Sequence, residues 1–331
     1  MAAGRGGVDP RKPLSLRRFG RIAVPASPWS WKTRFLFLVM VCVWGMNYLF
    51  VNVGLAYASS LWLASLRSSI GALAVVALMT PLHSWGQLDS RGRRDALILG
   101  LPNTTFFFVL WFIAARTVLP GIAATLIYTF PLWVALLSAP VLGHRLRGRH
   151  WVSVVVGFVG VALVSEAWMI VTASSSPVAV LELLGAAISW AVGTVVFQRR
   201  FHRTQMLEAN AFQLIGGSVG ILALTLLFAP LPLPSVTPVL VGTALWLGVV
   251  GTAVAYTIWF NLLGRTRAAT VSAYLFLVPV VALTASAFFF GERLAPLQVL
   301  GVGLVLLSIY GVGRTPVPEP LSSDAVPPPP E

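Results

Sequence analysis

The sequence predicts an all-α integral membrane protein of ten transmembrane helices, built as two five-helix inverted-topology repeats. Three observations carry that expectation. Apolar segments follow one another from about Phe35 to Gly313, and about 20 consecutive apolar residues span a bilayer as a helix. Nearly all the arginines fall in alternate gaps between these segments, and gaps rich in Lys and Arg mark the cytoplasmic side. The second half of the run repeats features of the first.

Composition excludes a soluble domain. The 331 residues are 57% hydrophobic and 10% charged, against about a quarter charged in soluble proteins; mean hydropathy is +0.85. A net charge of +13 would suggest nucleic acid if it formed one patch. It is scattered in short clusters between apolar runs, so it reads as topology, and no nucleic-acid partner is expected. Cys42 is alone and inside an apolar run, which argues against a disulfide framework.

The elements follow in order, each with its punctuation. Residues 1–32 form a basic tail without the short apolar core and cleavage site of a secretory signal. The first helix, about 34–54, stops before Ser59–Ser60, and the second, about 60–80, before the Arg91–Arg94 cluster. The third, about 95–115, and the fourth, about 119–140, meet at Pro120–Gly121. The Arg145–Arg149 cluster precedes a fifth at about 151–170, which ends before Ser174–Pro177. The sixth, about 178–198, runs into Arg199–Arg203, and the seventh, about 208–229, into Pro230–Pro238. The eighth, about 238–261, ends near Arg265 and Arg267. The ninth, about 267–290, and the tenth, about 295–313, close the run before a proline-rich tail over 314–331.

Charge tests this count. With both termini inside, every one of the 23 Lys and Arg falls in a cytoplasmic segment except Arg67, Arg116 and Arg293. A missed or invented helix would scramble the alternation.

The halves, 33–170 and 178–313, repeat. Pro131 and Pro279, Gly143 and Gly291, and Trp111 and Trp259 are each 148 residues apart; Trp44 and Trp190, and Gly71 and Gly217, are 146 apart. Five helices per repeat force the second copy to insert upside down. Two such halves can open a central site first to one side, then to the other.

Specific residues then point to a family. Trp44-Gly45-x-Asn47-Tyr48 is followed about 20 residues later by Leu66-Arg67. The second half has Ser189-Trp190-Ala191, then Phe276-Leu277-x-Pro279 and Gly291-Glu292-Arg293-Leu294. In order and spacing the chain resembles the EamA-type permeases of the drug/metabolite transporter superfamily. His144, Gln213 and Asn103 depart from that family's pattern. The resemblance implies a secondary transporter of small organic metabolites, amino-acid-like or amphipathic, exporting across a bacterial inner membrane.

Candidate site residues are polar or aromatic groups at membrane depth, where they need a reason. Arg67 reads either as a counter-charge for an anionic or zwitterionic substrate, or as a structural arginine on helix-end carbonyls or snorkelling to the surface. Trp44 and Asn47 share a helix face and line a cavity or pack between helices. Asn103 and Trp111 lean the same way on the third helix. Pro102 removes a backbone donor beneath them, giving a kinked gating helix or a tolerated kink. Tyr128, Trp190, Tyr256, Trp259 and Tyr274 are aromatic candidates whose alternative is packing or an interfacial belt. Glu182 is a proton-coupling group or an exposed acid at a helix start.

No phosphate loop, no metal-spaced His/Cys cluster and no nucleophile–base pair is visible. An enzyme, a cofactor, a metal site and catalytic residues are therefore not expected. The expected partners are a small-molecule substrate and the lipid bilayer, with a proton or counter-substrate as coupling partner and a homodimer left open. Uptake or exchange of an organic anion or nucleotide-sugar-like solute is the alternative within transport. A membrane-embedded enzyme or sensor is the alternative outside it.

Overall fold

Short polar side chains set the starts of the long helices. Ser30, Ser59, Asp89, Ser176 and Thr237 each accept a hydrogen bond from a backbone N–H two or three residues on, which satisfies a donor the first turn leaves free. The computed structural model describes residues 30–80, 85–118, 120–143, 148–164, 176–229, 234–290 and 295–314, and every regular element among them is helical. Among the described residues, six helices are long and apolar enough to cross a membrane. They are Trp31–Leu55 (α1), Ser60–Met79 (α2), Ser90–Ala114 (α3), Pro177–Arg200 (α7), Arg203–Phe228 (α8) and Pro238–Leu263 (α9). Between and after them lie Pro120–Ile127 (α4), Phe130–Leu142 (α5), Gly148–Val164 (α6), Ala268–Tyr274 (α10), Leu277–Phe290 (α11) and Pro296–Arg314 (α12). The end of the predicted fifth helix, His144 and the Gly291–Leu294 motif lie outside the described residues.

Two helices expected to be continuous are broken. The segment expected over 119–140 is α4 and α5, interrupted at Tyr128–Thr129, and that over 267–290 is α10 and α11, interrupted at Leu275–Phe276. The cause is local. Pro131 and Pro279 have no N–H to close the preceding turn, and their rings crowd the carbonyl four residues back. Two other helices widen instead of breaking. Leu101–Phe106 in α3 and Trp246–Val254 in α9 are π-helical. Both kinds of irregularity recur at matching places in the two halves.

The interior and exterior are inverted relative to a soluble protein. Leu73, Leu181, Leu226, Leu227 and Phe228 are largely exposed, while Asn47, Arg67, Asn103, Asn210 and Gln213 are buried. Lipid accepts the apolar exterior, and the polar groups turn inward.

Contacts between helices come in pairs that exchanging the halves interconverts. α3 packs on α8 as α9 packs on α2; α7 packs on α3 and α5 as α1 packs on α9 and α11; α2 meets α8 and α6 meets α12. Glycines set the closest seams. A Cβ on Gly71 would lie 2.6 Å from Thr252 Cγ2, and one on its repeat mate Gly217 would lie 2.7 Å from Gly100 O. Gly160 of α6 and Gly301 of α12 face each other in the same way, 2.8 and 2.7 Å from the opposing carbonyl oxygens. Small residues let membrane helices approach this closely.

Candidate functional site

The repeat pairs bring the first and sixth predicted helices together at their tryptophans. Trp44 of α1 and Trp190 of α7 meet edge-to-face with ring centroids 6.2 Å apart. Tyr256 of α9 joins both, at 6.1 Å from Trp44 and 5.1 Å from Trp190. Phe107 meets Trp190 at a tilt, ring centroids 5.0 Å apart, and Trp111 sits 5.2 Å from Tyr48. These rings, with Ile127, Tyr128 and Phe130 from the α4–α5 break, enclose a cavity of about 40 Å³ between the halves. That holds a few waters at most.

Arg67 supplies the cavity's charge. It is 1% exposed. Its Nε donates to Thr252 Oγ1 at 3.0 Å and its Nη2 to Gly251 O at 3.4 Å. Its guanidinium carbon lies 4.3 Å from the Phe108 ring centroid and 5.3 Å from that of Trp111, so cation–π attraction offsets part of its desolvation. Its Nη1 is buried without a hydrogen-bond partner, and no carboxylate pairs with it among the described residues. Asn47 approaches the same Gly251 carbonyl, Nδ2 to O at 3.5 Å, and its Oδ1 is unpartnered, as is the Tyr256 hydroxyl. The π turns of α9 make this possible: Thr252 Oγ1 donates to Leu247 O five residues back and still accepts from Arg67. Chemically, the residues lining the cavity combine one cation without a carboxylate, one amide side chain and three tyrosines with further aromatic walls.

Trp44, Asn47, Arg67, Trp111, Tyr128, Trp190 and Tyr256 of the sequence-predicted set border this cavity. Asn103, Trp259 and Tyr274 are not among its lining residues. Asn103 is fully buried but turned into the α3–α7 seam, against Gly193. Its repeat mate is Gly251, and the mate of Gly193 is Asn47, so each seam is filled by one asparagine facing one glycine. Trp259 packs behind Trp44 at 5.8 Å, and Tyr274 lies 6.1 Å from Phe37. Glu182 is half-buried near the start of α7 and does not line the cavity. Sequence reasoning passed over Tyr48, Phe107, Ile127 and Phe130. Tyr48 and Phe107 had a signal: each sits four residues from a predicted tryptophan, on the same helix face.

The sequence model of the EamA-like transporter family matches this chain twice, over residues 31–166 and 177–314. The chain is 28% identical over 279 residues to the uncharacterized transporter YvbV of Bacillus subtilis (strain 168), covering 84% of this chain and 90% of that one. It is 29% identical over 303 residues to a probable amino-acid metabolite efflux pump of Escherichia coli (strain K12), covering 85% and 94%. It is 30% identical over 270 residues to Protein PecM of Dickeya dadantii (strain 3937), covering 81% and 88%. A solved crystal structure superimposes with a TM-score of 0.70 over 85% of this chain and 97% of its own, at 17% identity. That likeness speaks to the fold alone.

Proposed function

We propose, from the premise that the chain belongs to the EamA-like transporter family, that it is a secondary active exporter of small amphipathic, amino-acid-like metabolites. In this reading ten spans form two five-helix repeats of inverted topology in a bacterial inner membrane, with both termini cytoplasmic. α4 with α5, and α10 with α11, each make one interrupted span. The cavity between the halves is the substrate site, reached from alternate sides.

The observation that carries the reading is Arg67. A buried cation without a carboxylate is costly; its Nη1 has no partner, and the residue borders a cavity whose walls are mostly aromatic. A zwitterion or monoanion brings the missing acceptor. The hydroxyls of Tyr48, Tyr128 and Tyr256 offer acceptors to an amine, and Trp44, Trp190 and Phe107 cover an apolar side chain. Dense positive charge would be needed for a multiply anionic solute, and Arg67 is the sole Lys or Arg buried at this depth among the described residues. Matching breaks and π turns in the two halves supply bending points for opening. The coupling partner in this reading is a proton or a counter-substrate.

Metabolite profiling of medium from cells with and without the gene tests the reading. A zwitterionic or monoanionic compound accumulates outside when the chain is present; equal profiles argue against export. Orientation has its own check. In a Cys42→Ser background, an impermeant thiol reagent added outside labels a cysteine at Val236 and spares one at His202. The reverse pattern contradicts the topology.

A further inference from the structure

The two ends of the bundle share one plan and are held by different chemistry. At the arginine-rich end, Arg200 Nε at the close of α7 lies 2.5 Å from Asp95 Oδ2 on α3. Glu208, fully buried at the start of α8, takes Arg93 Nε at 3.2 Å. Its other oxygen accepts from the backbone N–H groups of Gln87 and Leu88 at 2.6 and 2.9 Å. Gln198 fastens the α9–α10 corner. Its amide donates to the carbonyls of Leu263 and Thr266, both at 2.7 Å, and its oxygen accepts from Ala268 N–H at 2.8 Å. These three junctions tie α7 and α8 of the second half to α3 of the first, and α7 to the α9–α10 corner.

The repeat offsets name the same junctions at the opposite end. Arg200 and Asp95 correspond to Gly54 and Thr243, where a Cβ on Gly54 would sit 3.1 Å from Thr243 Cγ2. Glu208 and Arg93 correspond to Trp62 and Val241, and the Trp62 indole nitrogen is buried without a partner. Gln198 corresponds to Asn52, whose amide donates back to its own helix, at Tyr48 O, 3.2 Å. All ion pairs among the described residues lie at the arginine-rich end.

Two identical halves would make the two access states equal in energy, so differences between the halves set the balance. We propose that the Glu208, Asp95–Arg200 and Gln198 junctions form a polar lock that holds the arginine-rich gate shut. The apolar mates around Gly54, Trp62 and Val241 form the gate that yields first. The inference rests on the alternating-access reading, in which the locked end is cytoplasmic. Glu208 contributes most. Arg93 is 43% exposed, so its ion pair is screened and weak by itself. Parting the end instead strips a buried carboxylate of two backbone donors, which is expensive. The apolar junctions part at the cost of van der Waals contact, which is recovered against lipid or substrate.

The test is a pair of distance distributions between spin labels on the full-length Cys42→Ser chain in nanodiscs. One pair, at Trp85 and Arg265, reports the arginine-rich end. The other, at Tyr57 and Val236, reports the opposite end. The unaltered lock gives one narrow distance at the first pair. Glu208→Gln with Asp95→Asn raises the population of a longer distance there at least fivefold and narrows the second pair. The exchanged pair, Asp95→Arg with Arg200→Asp, which keeps both charges and leaves Glu208 in place, keeps the narrow distance. Trp62→Glu with Val241→Arg, which installs an ion pair at the opposite junction, narrows the second pair instead. An unchanged first distribution in the Glu208→Gln, Asp95→Asn chain, or widening at both ends together, overturns the proposal. The distances need no substrate, so the lock can fail while export stands, and export can fail while the lock stands.

Discussion

Arg67→Gln lowers export of the chain's substrate by about 100-fold at unchanged membrane levels, and Arg67→Lys keeps a measurable part of it. Losing one partner of a buried charge interaction costs about 2–5 kcal/mol, which brackets that factor. Lysine preserves the charge but loses the planar fork that reaches Thr252, Gly251 and the cavity at once. The same substitution has an informative effect on the empty protein. Removing a buried cation from water costs several kcal/mol; in the substrate-free state two hydrogen bonds and the Phe108 face offset part of that. Arg67→Gln therefore leaves the melting temperature of the substrate-free protein unchanged or raises it. If glutamine and lysine variants both fail to accumulate in the membrane, Arg67 holds the fold together and the counter-charge reading is lost.

The second large effect is on stability. Gly160→Val opens the α6–α12 seam, because its Cβ falls 2.8 Å from Gly301 O and from Val305 N, both backbone atoms that have nowhere to go. Overpacking of this kind costs about 1–3 kcal/mol and more where backbone must move. We expect Gly160→Val at or above the top of that range, seen as a lowered melting temperature and reduced accumulation. Gly303→Val is the control on the same helix as Gly301. Nothing lies within 4 Å of its Cβ position, so it melts with the parent protein. Equal melting of the two variants contradicts the seam.

The helical, membrane-like character was legible as an average. Twenty-residue apolar windows report composition and survive small irregularities of the backbone. Equal offsets between prolines, glycines and tryptophans were in the sequence too, and the family's sequence model matches the chain in two consecutive pieces. The helix breaks were not read, although Pro131 and Pro279 were in view, because a two-residue interruption leaves mean hydropathy unchanged. Asn103 was placed beside Trp111 by counting turns of an ideal helix. The π turns at Leu101–Phe106 lie on that path, and each extra residue shifts the phase by about 100°. Asn103 instead fills the space that Gly193 leaves open. Spacing along one helix carries no information about a glycine on another. Trp44, Arg67 and Trp190 lie on regular helix, where counting holds, and all three border the cavity.

Equilibrium binding of the exported compound to purified protein bears most directly on the cavity as the substrate site. The account predicts that Arg67→Gln and Tyr256→Phe both weaken binding, Arg67→Gln by 30-fold or more, as the loss of a buried charge contact requires. The exposed substitution Val155→Ala leaves binding unchanged. Binding by Arg67→Gln protein indistinguishable from that of the parent would contradict it.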